Sequence, residues 1–414
     1  MKYTIGFNTK MLHALASYGQ REILPPISQV SAFSYESMEE LERVFAHKSM
    51  GYAYTRIGNP TLAAFEQKIN SLEGGIGAIS TSSGMAAISA AILNVCESGD
   101  EIIVGRGLYG GTIDLFHDLA KLGIHTICAR DINDKDELEG LITDRTKLIF
   151  SELISNPSLM VLDIPAVSAI AHAHKLPLFV DSTTATPYIA TPLSLGADVV
   201  IHSTSKYING GGNSIGGIIV DGGKFAWDFE KFGALSEFKK YGKMAFLLRL
   251  RTDLWENLGG CMSPMNAYLS YIGAETLGLR MERICCNADK LAHALDEEKD
   301  ITVNYLTLPT HPYHGYVDKE LKGFGGGILS FRAGSKERAF KIINSLKYGL
   351  IASNIGDLRT LVIHPASTLY IHSGKEETQA AGVFDDTIRV SVGIEDPEDL
   401  INDFREAIKA ADNG

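Results

Sequence analysis

The sequence predicts an α/β protein with a large, mostly parallel seven-stranded sheet domain, an N-terminal arm and a smaller C-terminal α+β domain. Seven short apolar runs recur between residues 77 and 220, and segments of helical periodicity fill most of the gaps between them. Short buried strands separated by helices are typical of a parallel sheet covered on both faces. The chain has 414 residues, more than one hydrophobic core usually covers, so two domains are expected.

The predicted elements divide the chain at residues 60 and 262. Residues 1–60 mix polar turns with short apolar pieces, so we interpret them as an extended arm. Residues 61–262 form the predicted sheet domain, with helices such as Gly111–Leu122 and Ile164–His174 between strands. Its seven predicted strands are Gly77–Thr81, Glu101–Val104, His125–Cys128, Lys147–Leu153, Pro177–Val180, Asp198–His202 and Gly217–Val220.

Residues 221–262 contain both tryptophans and many Phe, Lys and Arg side chains, with no clean period. We interpret this stretch as a long excursion or lid. The smaller domain, residues 263–414, begins with a long predicted helix over 266–298 and closes with a helix over Pro397–Ala411, which opens on proline. Between them we predict the strands Ile301–Leu308, Gly327–Phe331 and Thr387–Val392 and a helix over Lys336–Leu346.

Charge, hydropathy and cysteine content argue against several classes of protein. The 50 acidic and 38 basic residues give a net charge of −12, which suits neither nucleic acid nor an anionic membrane as a partner. No apolar run reaches membrane-spanning length, and the N-terminal sequence lacks the apolar core of a signal peptide. Five cysteines, with Cys285 and Cys286 adjacent, favour a reduced cytoplasmic protein over a disulfide framework.

Common nucleotide, hydrolase and metal motifs are missing from the sequence. It has no GxxxxGK[ST] loop, and its one GxSxG match, residues 212–216, precedes a predicted strand and so is not a nucleophile elbow between a strand and a helix. No cysteine pair has zinc spacing, and His172 and His174 lie two apart on a predicted helix, where they face different ways. We therefore expect no metal site.

Four segments contain residues that could bind a ligand or take part in catalysis, although each can also be explained by a purely structural role. Small residues over 81–87 join a strand to a helix, where N–H groups can face an anion, but taken alone an ordinary helix cap is favoured. Asp181 ends an apolar strand, either facing a ligand or capping a turn. Lys206 follows the next strand and would alone be a solvated loop lysine. Arg56 lies among aromatics, which suits a planar anion or phosphate, but the stretch could also be a surface strand ended by Asn59-Pro60.

Together the four segments fit a planar, electron-withdrawing ring that carries a phosphate. The phosphate would accept from the 83–85 amides, from two serine hydroxyls, Ser203 and Ser205, and from Arg56. Asp181 would pair with the ring nitrogen, and Lys206 would form a Schiff base with the aldehyde. At 4 Å and an effective dielectric near 20, the pair with the ring nitrogen is worth about 4 kcal/mol. The ligand with these features is pyridoxal 5'-phosphate.

Seven motifs in a fixed order carry a family resemblance. They are Tyr54-x-Arg56-x-x-Asn59-Pro60-Thr61, Ser83-Gly84-Met85, Leu108-Tyr109-Gly110-Gly111-Thr112, Asn156-Pro157, Asp181-x-Thr183, Ser203-x-Ser205-Lys206-Tyr207 and Arg389-x-Ser391-x-Gly393-x-Glu395. The set resembles the Cys/Met-metabolism family of fold-type-I pyridoxal-phosphate enzymes, which contains cystathionine synthases and lyases, methionine γ-lyases and O-acetylhomoserine sulfhydrylases. The resemblance covers nearly the whole chain, and the number of ordered motifs makes it specific.

The resemblance implies roles for individual residues. Lys206 is the expected Schiff-base lysine and proton carrier, Asp181 pairs with the ring nitrogen, and Tyr109 stacks on the ring. The other cofactor-binding residues expected from the resemblance are Ser83, Gly84, Met85, Thr183, Ser203 and Ser205, with Tyr54 and Arg56 reaching the phosphate of a neighbouring subunit. The expected substrate-binding residues are Asn156, Asn354 and Arg389, and Glu152 is a weaker candidate behind them.

Within the family, the sequence resembles the sulfhydrylases most. Ser214-Ile215-Gly216-Gly217, residues 355–368 and the excursion at 221–262 support this. Methionine γ-lyases carry Cys where Gly111 stands, and cystathionine γ-lyases carry Glu near Ser353. Departures from the common family pattern occur at Ser182, Gly211 and Leu369-Tyr370, and the last two lie at the expected mouth of the site.

The implied reaction is γ-replacement on O-acetyl-L-homoserine with sulfide or an equivalent sulfur donor, giving L-homocysteine and acetate. The open alternatives are a cystathionine γ-synthase, a methionine or cystathionine γ-lyase, and a catalytically silent carrier-binding scaffold. The implied partners are an amino-acid substrate, a second subunit in a dimer with shared sites that extends to a tetramer, and a small sulfur-carrier protein as one source of sulfur.

Overall fold

The computed structural model describes residues 5–13, 22–46, 48–374, 378–379 and 381–413. Parts of the predicted N-terminal arm, residues 1–4, 14–21 and 47, therefore lie outside the described residues. Within the described arm, helices cover Phe7–His13 (α1) and Met38–Phe45 (α2).

The larger sheet has seven strands, close to the bounds that the apolar runs predicted. They are β1 (Gly77–Thr81), β2 (Glu101–Val104), β3 (His125–Cys128), β4 (Thr146–Glu152), β5 (Leu178–Asp181), β6 (Val199–Ser203) and β7 (Gly217–Asp221). Their spatial order is β1-β7-β6-β5-β4-β2-β3. Strand β7 runs antiparallel to β1 and β6, while the other neighbours pair in parallel. This confirms the predicted α/β fold with a mostly parallel sheet.

Helices connect these strands and are started by local sequence signals. Asn59 caps the helix that begins at Pro60, and the Ser83 hydroxyl accepts from the Ala86 N–H at 3.0 Å to cap the helix after β1. The helices of this region are α3 (Pro60–Glu73), α4 (Gly84–Leu93), α5 (Gly110–Lys121), α6 (Lys135–Leu141), α7 (Ile164–Ala173), α8 (Thr186–Ile189) and α9 (Pro192–Leu195). Helix α4 packs against β6 and β7, which fixes its N-terminus at the carboxyl edge of the sheet.

The segment 221–262 contains more regular structure than its sequence predicts. A 3-10 stretch over Gly233–Met244 leads into α10 (Ala245–Arg249), a π-helical turn over Leu250–Trp255 and α11 (Glu256–Leu258). Trp255 is only 1% exposed, and its ring N–H donates to the Ser80 carbonyl at 2.6 Å. Residues 245–255 pack side chains against the sheet next to β1. A buried helix does not show the one-sided apolar pattern that identifies a surface helix in a sequence.

The smaller sheet lies in the C-terminal part of the chain. Its strands are β8 (Thr302–Asn304), β9 (Ile328–Arg332), β10 (Leu350–Ile351), β11 (Leu361–Ile363) and β12 (Thr387–Ser391), in the order β10-β11-β12-β9-β8. Its helices are α12 (Pro264–Ala274), α13 (Leu277–Asp296), α14 (Gly315–Glu320), α15 (Lys336–Ser345) and α16 (Pro397–Asp412). The two short strands β10 and β11 were not predicted, and the domain boundaries at 60 and 262 stay a prediction.

The prediction of one long helix over 266–298 is wrong. The segment forms two helices, α12 and α13, separated by Glu275 and Thr276. Arg280, 8% exposed, explains the break: its guanidinium donates to the Gly273 carbonyl at 2.7 Å, where a continuous helix would place a backbone N–H. The same guanidinium donates to the carbonyls of Tyr207 at 2.6 Å and Ile208 at 3.1 Å. No helix in the described part of the chain is both long and apolar enough to cross a lipid bilayer.

Candidate active site

A cavity of about 430 Å³ opens at the carboxyl edge of the large sheet. Strands β4, β5 and β6 end there on Glu152, Asp181 and Ser203, and the loops after β1 and β2 reach the same edge. The smaller domain closes the other side. The lining residues are Ser83, Gly84, Met85, Ile88, Tyr109, Thr112, Glu152, Asn156, Asp181, Thr183, Thr184, Ser203, Ser205, Lys206, Gly212, Ser214, Ile215, Ser353, Asn354, Ile355 and Arg389.

Asp181 provides a half-buried acid at the floor of the cavity. Its Oδ1 accepts from the Thr183 N–H at 2.9 Å. Burial raises the pKa of Asp181, while hydrogen bonds from the Thr183 hydroxyl and N–H and the nearby His202 oppose the rise. A cationic group above Asp181 would favour its charged form, so the floor suits a ligand with a protonated ring nitrogen.

Lys206 lies in the loop after β6 and points its amine into the cavity. Its Nζ donates to Asn354 Oδ1 at 2.5 Å. Burial, and secondly the charge of Arg389, lower the pKa of Lys206. A larger share of neutral amine at neutral pH makes this lysine a better nucleophile and proton acceptor.

The loop after β1 and the end of β6 approach each other closely enough to form an anion cradle. A Cβ added to Gly84 would lie 2.6 Å from the Ser203 Cβ, so only glycine fits there. Thr183 ties the cradle to the acid, because its hydroxyl accepts from the Ser203 N–H at 2.8 Å and donates to Asp181. The Ser205 hydroxyl donates to the Gly216 carbonyl at 3.1 Å.

Arg389 and Asn156 present unpartnered polar atoms on the side of the smaller domain. Arg389, on β12, is 1% exposed and donates through Nη2 to the Asn354 carbonyl at 2.9 Å. Burial lowers the pKa of Arg389 to about 10, which leaves it charged at neutral pH. Its Nε and Asn156 Oδ1 have no hydrogen-bond partner among the described residues. A buried cation with an unsatisfied donor suits a carboxylate ligand.

Tyr109 stands at the entrance of the cavity, at the start of α5. Its side chain is 40% exposed, and its backbone N–H donates to Glu152 Oε1 at 2.6 Å. This bond anchors the ring-bearing turn to the end of β4. The hydrogen bond fixes the backbone of the turn. The exposed ring that this turn carries lines the cavity, where a planar ligand could stack on it.

Two predicted site residues lie elsewhere in the single chain. Tyr54 and Arg56 line a separate cavity of about 470 Å³, together with Met262 and other residues of the arm and the 261–264 turn. The Arg56 guanidinium donates to the Glu256 carbonyl at 2.8 Å. Their predicted reach into a neighbouring subunit's site stays a prediction.

Several lining residues were missed by the sequence analysis as site residues. They are Ile88, Thr112, Thr184, Gly212 and Ile355. Thr112 and Thr184 lie in or next to motifs that the sequence analysis named, so position beside a motif was the available signal. Ile88 lies one turn along α4 from Gly84, which only a helical reading of that segment reveals.

The cavity fits pyridoxal 5'-phosphate in the chemistry of its residues. It combines a half-buried acid, an amine of lowered pKa, and a turn that admits only glycine beside a helix N-terminus. The orphaned Nε of Arg389 adds a place for the carboxylate of an amino acid.

Comparisons with known proteins agree with this chemistry. The O-acetyl-L-homoserine sulfhydrylase of Corynebacterium glutamicum is 39% identical, with 98% of this chain and 97% of the relative covered. The L-methionine gamma-lyase of Fusobacterium nucleatum is 37% identical, with 98% of each chain covered. A solved structure from Campylobacter jejuni, provisionally assigned as an O-acetylhomoserine (thiol)-lyase, has a TM-score of 0.93 at 36% identity, covering 98% of this chain and 100% of that one. It contains a lysine joined to pyridoxyl phosphate.

The family profile described as Cys/Met metabolism PLP-dependent enzyme matches residues 8–409, almost the whole chain. With relatives at this identity and coverage, the family and its cofactor follow directly. The chain belongs to the Cys/Met metabolism family of enzymes that depend on pyridoxal 5'-phosphate.

Proposed function

We propose that the protein catalyses γ-replacement on O-acetyl-L-homoserine, using sulfide or an equivalent sulfur donor and releasing L-homocysteine and acetate. The observation that supports this most is that Lys206, Asp181 and Arg389 line one cavity in a chain related to O-acetyl-L-homoserine sulfhydrylases. The placement of the reaction in the reducing cytoplasm, which the cysteine content favours, is part of the same proposal.

Each residue has a defined task in the proposed reaction. Bound pyridoxal phosphate supplies an electron sink that makes loss of protons next to the amino group possible. Arg389 and Asn156 hold the substrate carboxylate, and Asn354 supports both Arg389 and the lysine. Lys206 Nζ removes one proton from Cα and one from Cβ, and returns a proton to each of these carbons after sulfur has replaced acetate at Cγ. Asp181 holds the ring nitrogen proton in place throughout.

The amine of Lys206 is suited to this proton traffic. Its pKa is lowered by burial and by Arg389, which raises the share of neutral amine that can accept a proton. The Asn354 amide oxygen, at 2.5 Å, restrains Nζ on the side of the cavity where Arg389 lies. One lysine can therefore serve successive carbons of a substrate whose carboxylate stays fixed.

A methionine γ-lyase is the second candidate function. The relatives include L-methionine gamma-lyases at 37% and 36% identity, almost as similar as the sulfhydrylases. A γ-lyase would use the same lysine, acid and carboxylate-binding residues. It would differ in that no sulfur nucleophile adds at Cγ after the leaving group departs.

A product assay separates the candidates. The purified holoenzyme is given O-acetylhomoserine or O-succinylhomoserine with sulfide, with cysteine or with a small protein carrying sulfur as a C-terminal thiocarboxylate, and methionine alone. We expect homocysteine from O-acetylhomoserine and sulfide. Cystathionine as the main product would indicate a γ-synthase, α-ketobutyrate from methionine a lyase, and no product with any substrate a silent scaffold.

The proposed active unit is a dimer with shared sites that pairs into a tetramer. The support is Arg56, which the single chain leaves outside the main cavity although its motif accompanies phosphate-binding residues. Its guanidinium donates to the Glu256 backbone carbonyl and lies 5.5 Å from the centre of the Tyr54 ring, and these are contacts that it could exchange for a phosphate.

A further inference from the structure

Glu152 ends β4 immediately beside Asp181, which ends β5, and the two are register partners across the sheet. Glu152 is 7% exposed and lines the same cavity. Its Oε1 accepts from the Tyr109 N–H at 2.6 Å, and the Asn156 N–H also donates to its carboxyl group. The proposed reaction gives Glu152 no task, although it touches the turns that carry the ring-stacking and carboxylate-binding residues.

The surroundings of Glu152 contain no positive partner. No salt bridge involves it among the described residues, and the charged group that acts on it most is another acid, Asp181. From α5 and from the loop after β4 it receives two backbone N–H groups, which are neutral donors. Two adjacent carboxylates repel each other, which disfavours a negative charge on both at once.

The two acids are not equivalent. Asp181 has the Thr183 hydroxyl and N–H and the nearby His202 to favour its charged form, and the proposed function pairs it with the cationic ring nitrogen. Burial, and secondly Asp181, raise the pKa of Glu152 to about 8. Between them the environment favours one negative charge, on Asp181, and one retained proton, on Glu152.

We propose that Glu152 is a positioning residue that works as a neutral carboxylic acid, tying the Tyr109 and Asn156 turns to the end of β4 while leaving Asp181 as the single negative charge beneath the ring. The inference rests on the proposed function for the roles of Tyr109 and Asn156. A neutral Glu152 keeps its acceptor oxygen for the Tyr109 N–H without competing with Asp181 for the cationic ring nitrogen.

The test compares Glu152→Gln with Glu152→Ala in the holoenzyme. Glutamine keeps the acceptor oxygen and is neutral at every pH, whereas alanine removes the tie. We expect alanine to raise the cofactor dissociation constant and the amino-acid KM by about tenfold each, and glutamine to restore most of both. Cofactor release is followed by equilibrium dialysis and by the visible absorbance of the bound cofactor, so the readout does not depend on turnover.

The pH dependence adds a second readout. A carboxyl whose folded pKa is raised destabilises the folded state as pH rises through the interval between its unfolded and folded pKa. The melting temperature of the wild-type holoenzyme should therefore fall relative to Glu152→Gln as pH rises from 5 to 8, values that span that interval. Glu320→Gln is the matched control, since Glu320 is also buried with its pKa raised to about 7 but does not line the cavity. It should change melting and leave the cofactor spectrum unchanged.

Three results would overturn the proposal. Glutamine as damaging as alanine would mean that an ionised carboxylate is needed, and alanine without effect would mean that the tie is dispensable. A constant melting difference between wild type and Glu152→Gln across pH 5 to 8 would mean that Glu152 is already charged. If the wild type makes no homocysteine, the proposed function fails, but the cofactor and melting measurements still decide the role of Glu152.

Discussion

Lys206 is the residue on which the proposed chemistry depends most directly. Replacing it with alanine removes the amine that links the cofactor and moves protons, so we expect turnover to fall by about 10⁴-fold or more. Steady-state assay and the loss of the visible absorbance of the lysine-bound cofactor measure this. The exposed Lys121, paired with Asp118 on α5, supplies a control, because Lys121→Ala should leave both unchanged. Full activity of Lys206→Ala would rule out the mechanism.

Asp181 makes a contribution of a different kind, through charge. Asp181→Asn keeps the shape of the side chain but loses the partner of the ring nitrogen, which at about 4 Å and a dielectric near 20 is worth about 4 kcal/mol, or roughly a thousandfold in rate. We expect kcat to fall by about that factor while cofactor remains bound and the circular dichroism of the fold is unchanged. Wild-type kcat in this variant would show that the ring nitrogen has another partner.

Individual residues differ in how far the sequence could assign them. Ser83, Asp181 and Lys206 follow predicted strands, and parallel strands bring their carboxyl ends to one edge, so the main cavity could be anticipated. Arg389 came from the family motif, since nothing in a strand sequence shows that an arginine will be buried with an unpartnered Nε. Arg56 could not be placed, because its predicted contact needs a second chain.

At the scale of elements, the 365–370 segment joins the smaller domain to the cavity. Tyr370 is 3% exposed, and its hydroxyl lies 3.4 Å from the Leu108 carbonyl and 3.5 Å from the Asn156 carbonyl. Through these two contacts, which we call the clasp, the Tyr370 hydroxyl connects the turn that carries Tyr109 to the turn that carries Asn156. The sequence departs from the common family pattern at this position, so the clasp is a feature of this chain's own residues.

Removing that hydroxyl should loosen the clasp without unfolding the protein. Both contacts are long, so Tyr370→Phe is expected to cost about 1 kcal/mol or less, appearing as up to a fivefold rise in the KM for the amino acid with kcat nearly unchanged. Steady-state kinetics with saturating sulfide measure it, and Tyr348→Phe, at a side chain 54% exposed, is the control. A larger effect on kcat than on KM would contradict a binding role.

The elements also show where pattern reading succeeds and fails. Most of the strands β1 to β7 were found because buried strands read as continuous apolar runs, although the edge strand β3 is partly exposed. Strand β10 has two exposed residues and could not show such a run. The helical segment 245–258 and the break between α12 and α13 depend on buried contacts, with Ser80 and with Gly273, that a local pattern does not contain.

At the scale of the whole molecule, the shared-site dimer makes a prediction that a single-chain enzyme would not. Arg56→Ala and Lys206→Ala should each be inactive or strongly impaired. If Arg56 acts in trans, a hybrid dimer contains one site with both residues intact, so random mixing should restore up to about a quarter of wild-type activity. Activity after subunit exchange in mild denaturant is the measurement, and exchange within each single variant is the control. No recovery in verified hybrids would remove the cross-subunit role.

Arg280 lies outside the cavity. Its guanidinium donates to the carbonyls of Tyr207 and Ile208, which follow Lys206, and to the Gly273 carbonyl at the end of α12. Helix α13, which carries Arg280, packs against α16 and the smaller sheet. One side chain therefore connects the backbone next to Lys206, the end of α12 and the helix that packs on the smaller sheet. A substitution at Arg280 is therefore expected to disturb the position of the amine although every residue that lines the cavity stays the same.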